Sequence, residues 1–156
     1  MKIAQRLALS YIRTKFKLLS SISKKKAAEK AFELFCTPQH RNLKDPPKIF
    51  EQAEKLRFKV EGCQVNGWRW KAQAPGPDTE ITDPRRVLIM HGFESSAVNF
   101  DRYVKPLMKK GYEVLAFDAP AHGRSGGKQI SAPLYSKTIL EINKKFGPIQ
   151  SFMAHS

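Results

Sequence analysis

The strongest constraint on what this chain can fold into is the alternation in its second half. Val87-Leu88-Ile89-Met90 is an unbroken apolar run, β-branched at two positions. Such runs suit strands buried on both faces of a parallel sheet. Ala97, Phe100, Val104, Leu107 and Met108 follow at helical spacing, and Gly111 is the stop. Pro106 pushes Lys105 away from the helical region, so the sequence predicts a short turn and then a helix starting near Pro106. Tyr112 to Phe117 reads as a second strand, and Asp118 to Gly127 as a glycine-rich loop. Ser131 is an N-cap with Pro133 in the first turn. Leu134, Ile139, Ile142 and Phe146 make the helix face, and Gly147-Pro148 ends it. A third strand, Ile149 to Ala154, runs into Ser156. Strand, helix, strand, helix, strand predicts an α/β fold with a parallel sheet and right-handed crossovers. Ligands in such sheets sit at the carboxyl ends of the strands. His91-Gly92-Phe93, Asp118 and Ser156 all fall there.

Upstream the period changes. Leu56, Phe58 and Val60 alternate with Arg57, Lys59 and Glu61, and Trp68 and Trp70 alternate with Arg69 and Lys71. Glu61-Gly62 and Asn66-Gly67 between them are both turn signals. The pattern predicts an antiparallel hairpin with one buried face and both tryptophans in the core. Pro75 to Pro84 reads as a polar loop.

The first 48 residues carry much of the charge. The chain has a net charge of +14, and residues 1–48 hold 12 Lys or Arg against Glu29, Glu33 and Asp45. Ile3, Leu7, Tyr11, Leu18 and Ile22 share one helical face, widened by Ala8, Ile12, Phe16 and Leu19. Lys2, Arg6, Arg13, Lys17 and Lys24 collect opposite. A second helical run, Lys25 to Phe35, is stopped by Pro38. Three readings stand for this basic extension: a stripe packed on the domain, an in-plane helix on an anionic membrane surface through residues 1–24, or a nucleic-acid contact. No recognised nucleic-acid motif supports the third. Asp45-Pro46-Pro47 marks a linker, which divides the chain into an extension over 1–50 and a domain over 51–156.

Cys36 and Cys63 have no metal-ligand spacing and fit a reducing compartment. No apolar run reaches the roughly 20 residues of a membrane span, and no uninterrupted apolar core suggests a signal peptide. The expectation is a cytoplasmic protein, at the inner membrane face if the basic helix binds lipid. A phosphate loop around Gly123 to Lys128 is rejected, because His122 stands where that pattern needs glycine and Gln129 where it needs Ser or Thr.

Three pieces in order, His91-Gly92-Phe93-Glu94, Asp118-Ala119-Pro120-Ala121-His122-Gly123-Arg124-Ser125 and Ala154-His155-Ser156, resemble the first half of an α/β-hydrolase-fold protein. The resemblance covers roughly Leu56 to Ser156. It implies a serine hydrolase acting on a carboxylic ester, thioester or small amide, without cofactor or metal. Ser156 would be the nucleophile of a G-x-S-x-G elbow, with Ala154 in place of the first glycine. The Phe93 N–H would be one oxyanion donor, and His91 and Gly92 would shape the site. Asp118 reads as a turn-former. The second donor, the acid and the histidine base follow the serine in that family's chain order. The expectation is therefore an N-terminal fragment, inactive by itself. The alternative is a non-catalytic relative or a membrane-surface interaction protein.

Overall fold

The computed structural model describes residues 3–74 and 83–155; the polar stretch over 75–82, Met1, Lys2 and Ser156 lie outside the described residues. The chain forms two compact units, residues 1–37 and residues 38–156.

The first unit holds α1 (Ile3–Ile22) and α2 (Lys24–Phe35). Ser23 separates them: its backbone is extended, and its side chain accepts a hydrogen bond from the Lys26 N–H. This is an N-cap, whose oxygen pairs one of the four N–H donors that a helix start leaves without a partner.

The second unit is built on a five-stranded mixed sheet in the order β1-β2-β4-β3-β5. β1 (Glu54–Val60) and β2 (Cys63–Trp70) form the antiparallel hairpin. Val60 pairs Cys63, so Glu61-Gly62 alone makes the turn, both residues at positive φ. That is the two-residue turn that matches strand twist. The second expected turn signal is corrected: Asn66 and Gly67 lie inside β2, opposite Arg57 and Leu56. Gly67 is there because the Phe117 ring crosses its face, and a Cβ would stand 2.1 Å from Phe117 Cδ1. The one-buried-face expectation also fails for β2, whose Val65, Trp68 and Trp70 are all buried on its two sides.

β3 (Arg85–Met90) and β4 (Tyr112–Phe117) are parallel and central, and β4 pairs β2 antiparallel. β5 (Ser151–Ala154) pairs parallel with β3. Successive β3 residues point to opposite faces. Val87 and Ile89 join Phe50, Trp68, Trp70, Val104 and Met108 on one side. Leu88 joins Leu56, Phe58, Val65, Leu115, Phe117 and Ile142 on the other. Phe50, from the short 3₁₀ turn Lys48–Gln52, meets both tryptophans edge-on at 5.1 and 4.9 Å, and Trp70 Nε1–H donates to the Ile49 carbonyl at 2.8 Å.

The connection after β3 differs from expectation. A 3₁₀ turn, Ala97–Phe100, leads straight into α3 (Asp101–Lys109), with Pro106 inside the helix. An interior proline costs about 3 kcal/mol. The same geometry buries Val104 and Met108, each worth about 1.5–3 kcal/mol. Packing therefore outweighs the local preference of Lys105. Gly111 ends α3 at φ +78°. α4 (Ala132–Phe146) starts at its Ser131 cap.

Candidate active site

The loops at the carboxyl ends of β3, β4 and β5 meet. Met90 pairs Ala154, and the His155 N–H donates to the Met90 carbonyl at 3.2 Å. The residue before Ser156 is thereby fixed beside the start of the His91-Gly92-Phe93 loop. Ser156 itself lies outside the described residues.

The loop after β3 is a tight turn. The Ser95 N–H donates to the Gly92 carbonyl at 3.3 Å, and Glu94 takes a left-handed backbone at φ +56°. A residue with a Cβ pays for that conformation, about 1–2 kcal/mol. Glu94 has a compensating use. Its Oε1 accepts the N–H groups of Gln39 and His40, at 2.7 and 3.3 Å. Phe93 is exposed, and its ring meets His122 edge-on at 5.4 Å.

His91 is buried behind this turn. Its Nε2 accepts the Ala119 N–H at 2.9 Å, so Nδ1 carries the proton and donates to the Gly92 carbonyl at 2.8 Å. Both nitrogens are thus occupied by one tautomer. Burial drives its pKa down from the usual 6.5 to about 4. Tyr135 of α4 donates its hydroxyl to the His91 carbonyl at 3.0 Å, and burial raises that phenol to about 12. His122 is also buried, with Nδ1 donating to the Pro120 carbonyl at 2.9 Å and Nε2 unpartnered among the described residues. Burial lowers its pKa too. The two imidazoles lie 5.2 Å apart. Burial disfavours the charged form of both rings.

Asp118 ties two loops together. Oδ1 accepts the Ala97 N–H at 2.9 Å, ahead of α3, and Oδ2 accepts the Arg124 N–H at 2.8 Å, in its own loop. Burial raises its pKa, against the pull of these two donors. Ser125 donates to the Asp118 carbonyl at 2.6 Å and accepts the Asn66 N–H at 2.9 Å, fastening the loop to β2. Gly123, at φ +45°, passes so close that a Cβ would lie 2.3 Å from the Asp118 carboxylate. Each carboxylate oxygen thus holds one backbone N–H of the loops.

Arg41 was not singled out by sequence. It reaches across from the segment before the sheet and donates to the Ser125 carbonyl at 2.6 Å and to that of Gly127. Glu94 was seen only as part of a motif. Both work through contacts more than fifty residues away in sequence, and no local signal marks such pairs.

A cavity of about 390 Å³ opens beside these strand ends, between Ser95, Asn99 and Tyr103 on one wall and Met153, Ala154 and His155 on the other. A larger hollow of about 830 Å³ lies along the outer side of α3, by Pro47 and Lys109. It takes nothing from the loops after β3 and β5, whereas the smaller cavity is lined by Ser95 and His155 from those loops. No three His, Cys, Asp or Glu gather as a metal site among the described residues.

The mixed sheet, with its loops gathered at the strand ends, has the architecture of the α/β-hydrolase fold. The comparisons agree. A family model described as serine aminopeptidase, S33, matches residues 83–151. Protein YqkD of Bacillus subtilis, itself described as uncharacterized, is 33% identical over 104 residues, 66% of this chain and 32% of YqkD. Among solved structures, the thioesterase domain from the curacin biosynthetic pathway superposes with a TM-score of 0.54 at 23% identity, covering 67% of this chain and 37% of that one. An esterase of Pyrococcus furiosus gives 0.53 at 23% identity, over 76% and 47%. An epoxide hydrolase of Vigna radiata gives 0.55 at 19%, over 69% and 33%. The chain has the α/β-hydrolase fold, and residues 83–151 are similar to that serine aminopeptidase family. It spans about a third of the length of YqkD.

Proposed function

We propose that residues 38–156 supply the first half of a serine hydrolase, with Ser156 as its nucleophile and a carboxylic ester, thioester or small amide as its substrate. The observation that carries this reading is the register at the sheet end, where Met90 pairs Ala154 and His155 bonds back to Met90. His155, the residue before the serine, is thereby held beside the residue that precedes the His91-Gly92-Phe93 loop. The serine hydroxyl would attack the substrate carbonyl, and the Phe93 N–H would donate to the oxyanion. One such donor is worth about 2.7–4 kcal/mol. The partial coverage of the relatives fits a base and acid contributed by later residues, since in this fold they follow the serine. His91 is unfit as that base, because neither ring nitrogen is free.

Fluorophosphonate labelling tests this. Protein expressed from the native gene should label at Ser156, and Ser156→Ala should abolish the label while leaving the circular dichroism unchanged. Residues 1–156 alone should stay unlabelled. Labelling at another serine in the native-gene product would overturn the assignment. Labelling of residues 1–156 at Ser156 would mean that His122 or His155 serves as base.

A further inference from the structure

We propose that α1 is a membrane-surface helix, lying in the plane of an anionic bilayer with its apolar stripe among the lipid chains and its cations on the headgroups. The proposal is independent of the hydrolase reading. Ile3, Leu7, Tyr11, Leu18 and Ile22 run along one line of the helix and are 63–82% exposed. Apolar side chains that large and open, aligned and interrupted only by Thr14 and Lys15, call for a covering partner. Arg6, Arg13 and Lys17 flank the stripe across a strip of Ser and Thr, and Lys15 borders it on the other side. α1 contains no acidic residue, and the first in the chain is Glu29. Lys24, Lys25 and Lys26 continue the charge into α2.

The partner must therefore be apolar and anionic at once. A second copy of the chain would bring like-charged flanks together around its own stripe. A nucleic acid would answer the cations and leave the stripe uncovered. A bilayer with anionic lipid satisfies both, and its interface is where such helices lie. A spanning arrangement is ruled out for α1, since no described helix is long and apolar enough to cross a membrane.

The experiment is flotation of the full chain with vesicles of phosphatidylcholine, with and without a minority of phosphatidylserine. Flotation separates bound protein from aggregates, which sink. Binding should need phosphatidylserine. It should weaken when salt rises from about 0.1 M to about 1 M, as the Debye length falls from about 10 Å to about 3 Å. Arg13→Gln with Lys17→Gln should lower the partition by roughly fivefold per residue. Leu7→Glu with Leu18→Glu should abolish it. Leu7→Phe with Leu18→Phe keeps the stripe apolar and should bind at least as well, which separates loss of the stripe from loss of the fold. Equal flotation with both lipids, no flotation with either, or flotation that survives the glutamate pair overturns the proposal. So does self-association without lipid that the glutamate pair abolishes, which would assign the stripe to a second copy.

Discussion

His91 turns a hydrogen-bond pattern into a pH dependence. Its Nε2 accepts the Ala119 N–H, and protonation would set donor against donor. The folded pKa of about 4 lies below the unfolded 6.5. The stability this provides is fully present above pH 6.5 and is lost as pH falls toward 4. A shift of that size corresponds to about 3 kcal/mol. His122 is shifted the same way and Asp118 the opposite way, so the parent chain reports a sum. His91→Gln isolates one part, since its amide oxygen accepts the same N–H and does not titrate. Urea unfolding at pH 7 and pH 5 should show a smaller loss in His91→Gln than in the parent; equal losses would remove His91 as the cause. Gly123 is the second residue with a sharp expectation. Gly123→Ala must hold φ +45° and move the Asp118 carboxylate, which carries two backbone donors. A loss of about 2–4 kcal/mol is expected from strain and broken buried bonds together. A loss below about 0.5 kcal/mol would mean that the loop gives way freely.

Among the elements, β2 shows how local signals mislead. Asn66-Gly67 has the composition of a hairpin turn, yet the glycine serves a ring on the neighbouring strand. Gly67→Ala should therefore cost about 1–3 kcal/mol by overpacking, measured as a shift of the urea midpoint. Gly67→Ala in a Phe117→Leu background should cost less, because the clash is with that ring. Equal costs in both backgrounds would point to backbone strain instead. Pro106 misleads in the same way. Local sterics place a helix start at it, while burial of Val104 and Met108 carries the helix straight through. What was legible were the elements whose signals are local and mutually consistent: the β3 run, the Ser131 cap, Gly111, and the Glu61-Gly62 turn. Of the candidate site, the loops after β3 and β4 were legible as motifs at strand ends, while Ser156 of the third motif lies outside the described residues. The site's internal fastening was not legible, because Arg41, Glu94 and the two ends of the Asp118 bridge find each other only through the folded sheet.

For the whole molecule, β5 is the exposed margin of the sheet. It pairs with β3 on one side and with no strand on the other among the described residues. Phe152 on this strand is 56% exposed. An open edge with an apolar side chain is a template for pairing with another chain. A covering element contributed by further residues, or by a partner, would protect it. Residues 1–156 expressed alone should therefore self-associate with rising concentration, as sedimentation velocity would show. Phe152→Lys places a charge on the edge, the device natural sheets use to keep edges apart. It should shift the distribution toward monomer without changing the tryptophan emission of the buried Trp68 and Trp70. The Leu7→Glu, Leu18→Glu pair on α1 serves as the counter-test. If that pair restores the monomer and Phe152→Lys does not, association runs through the helix stripe and the β5 edge is not the sticky surface.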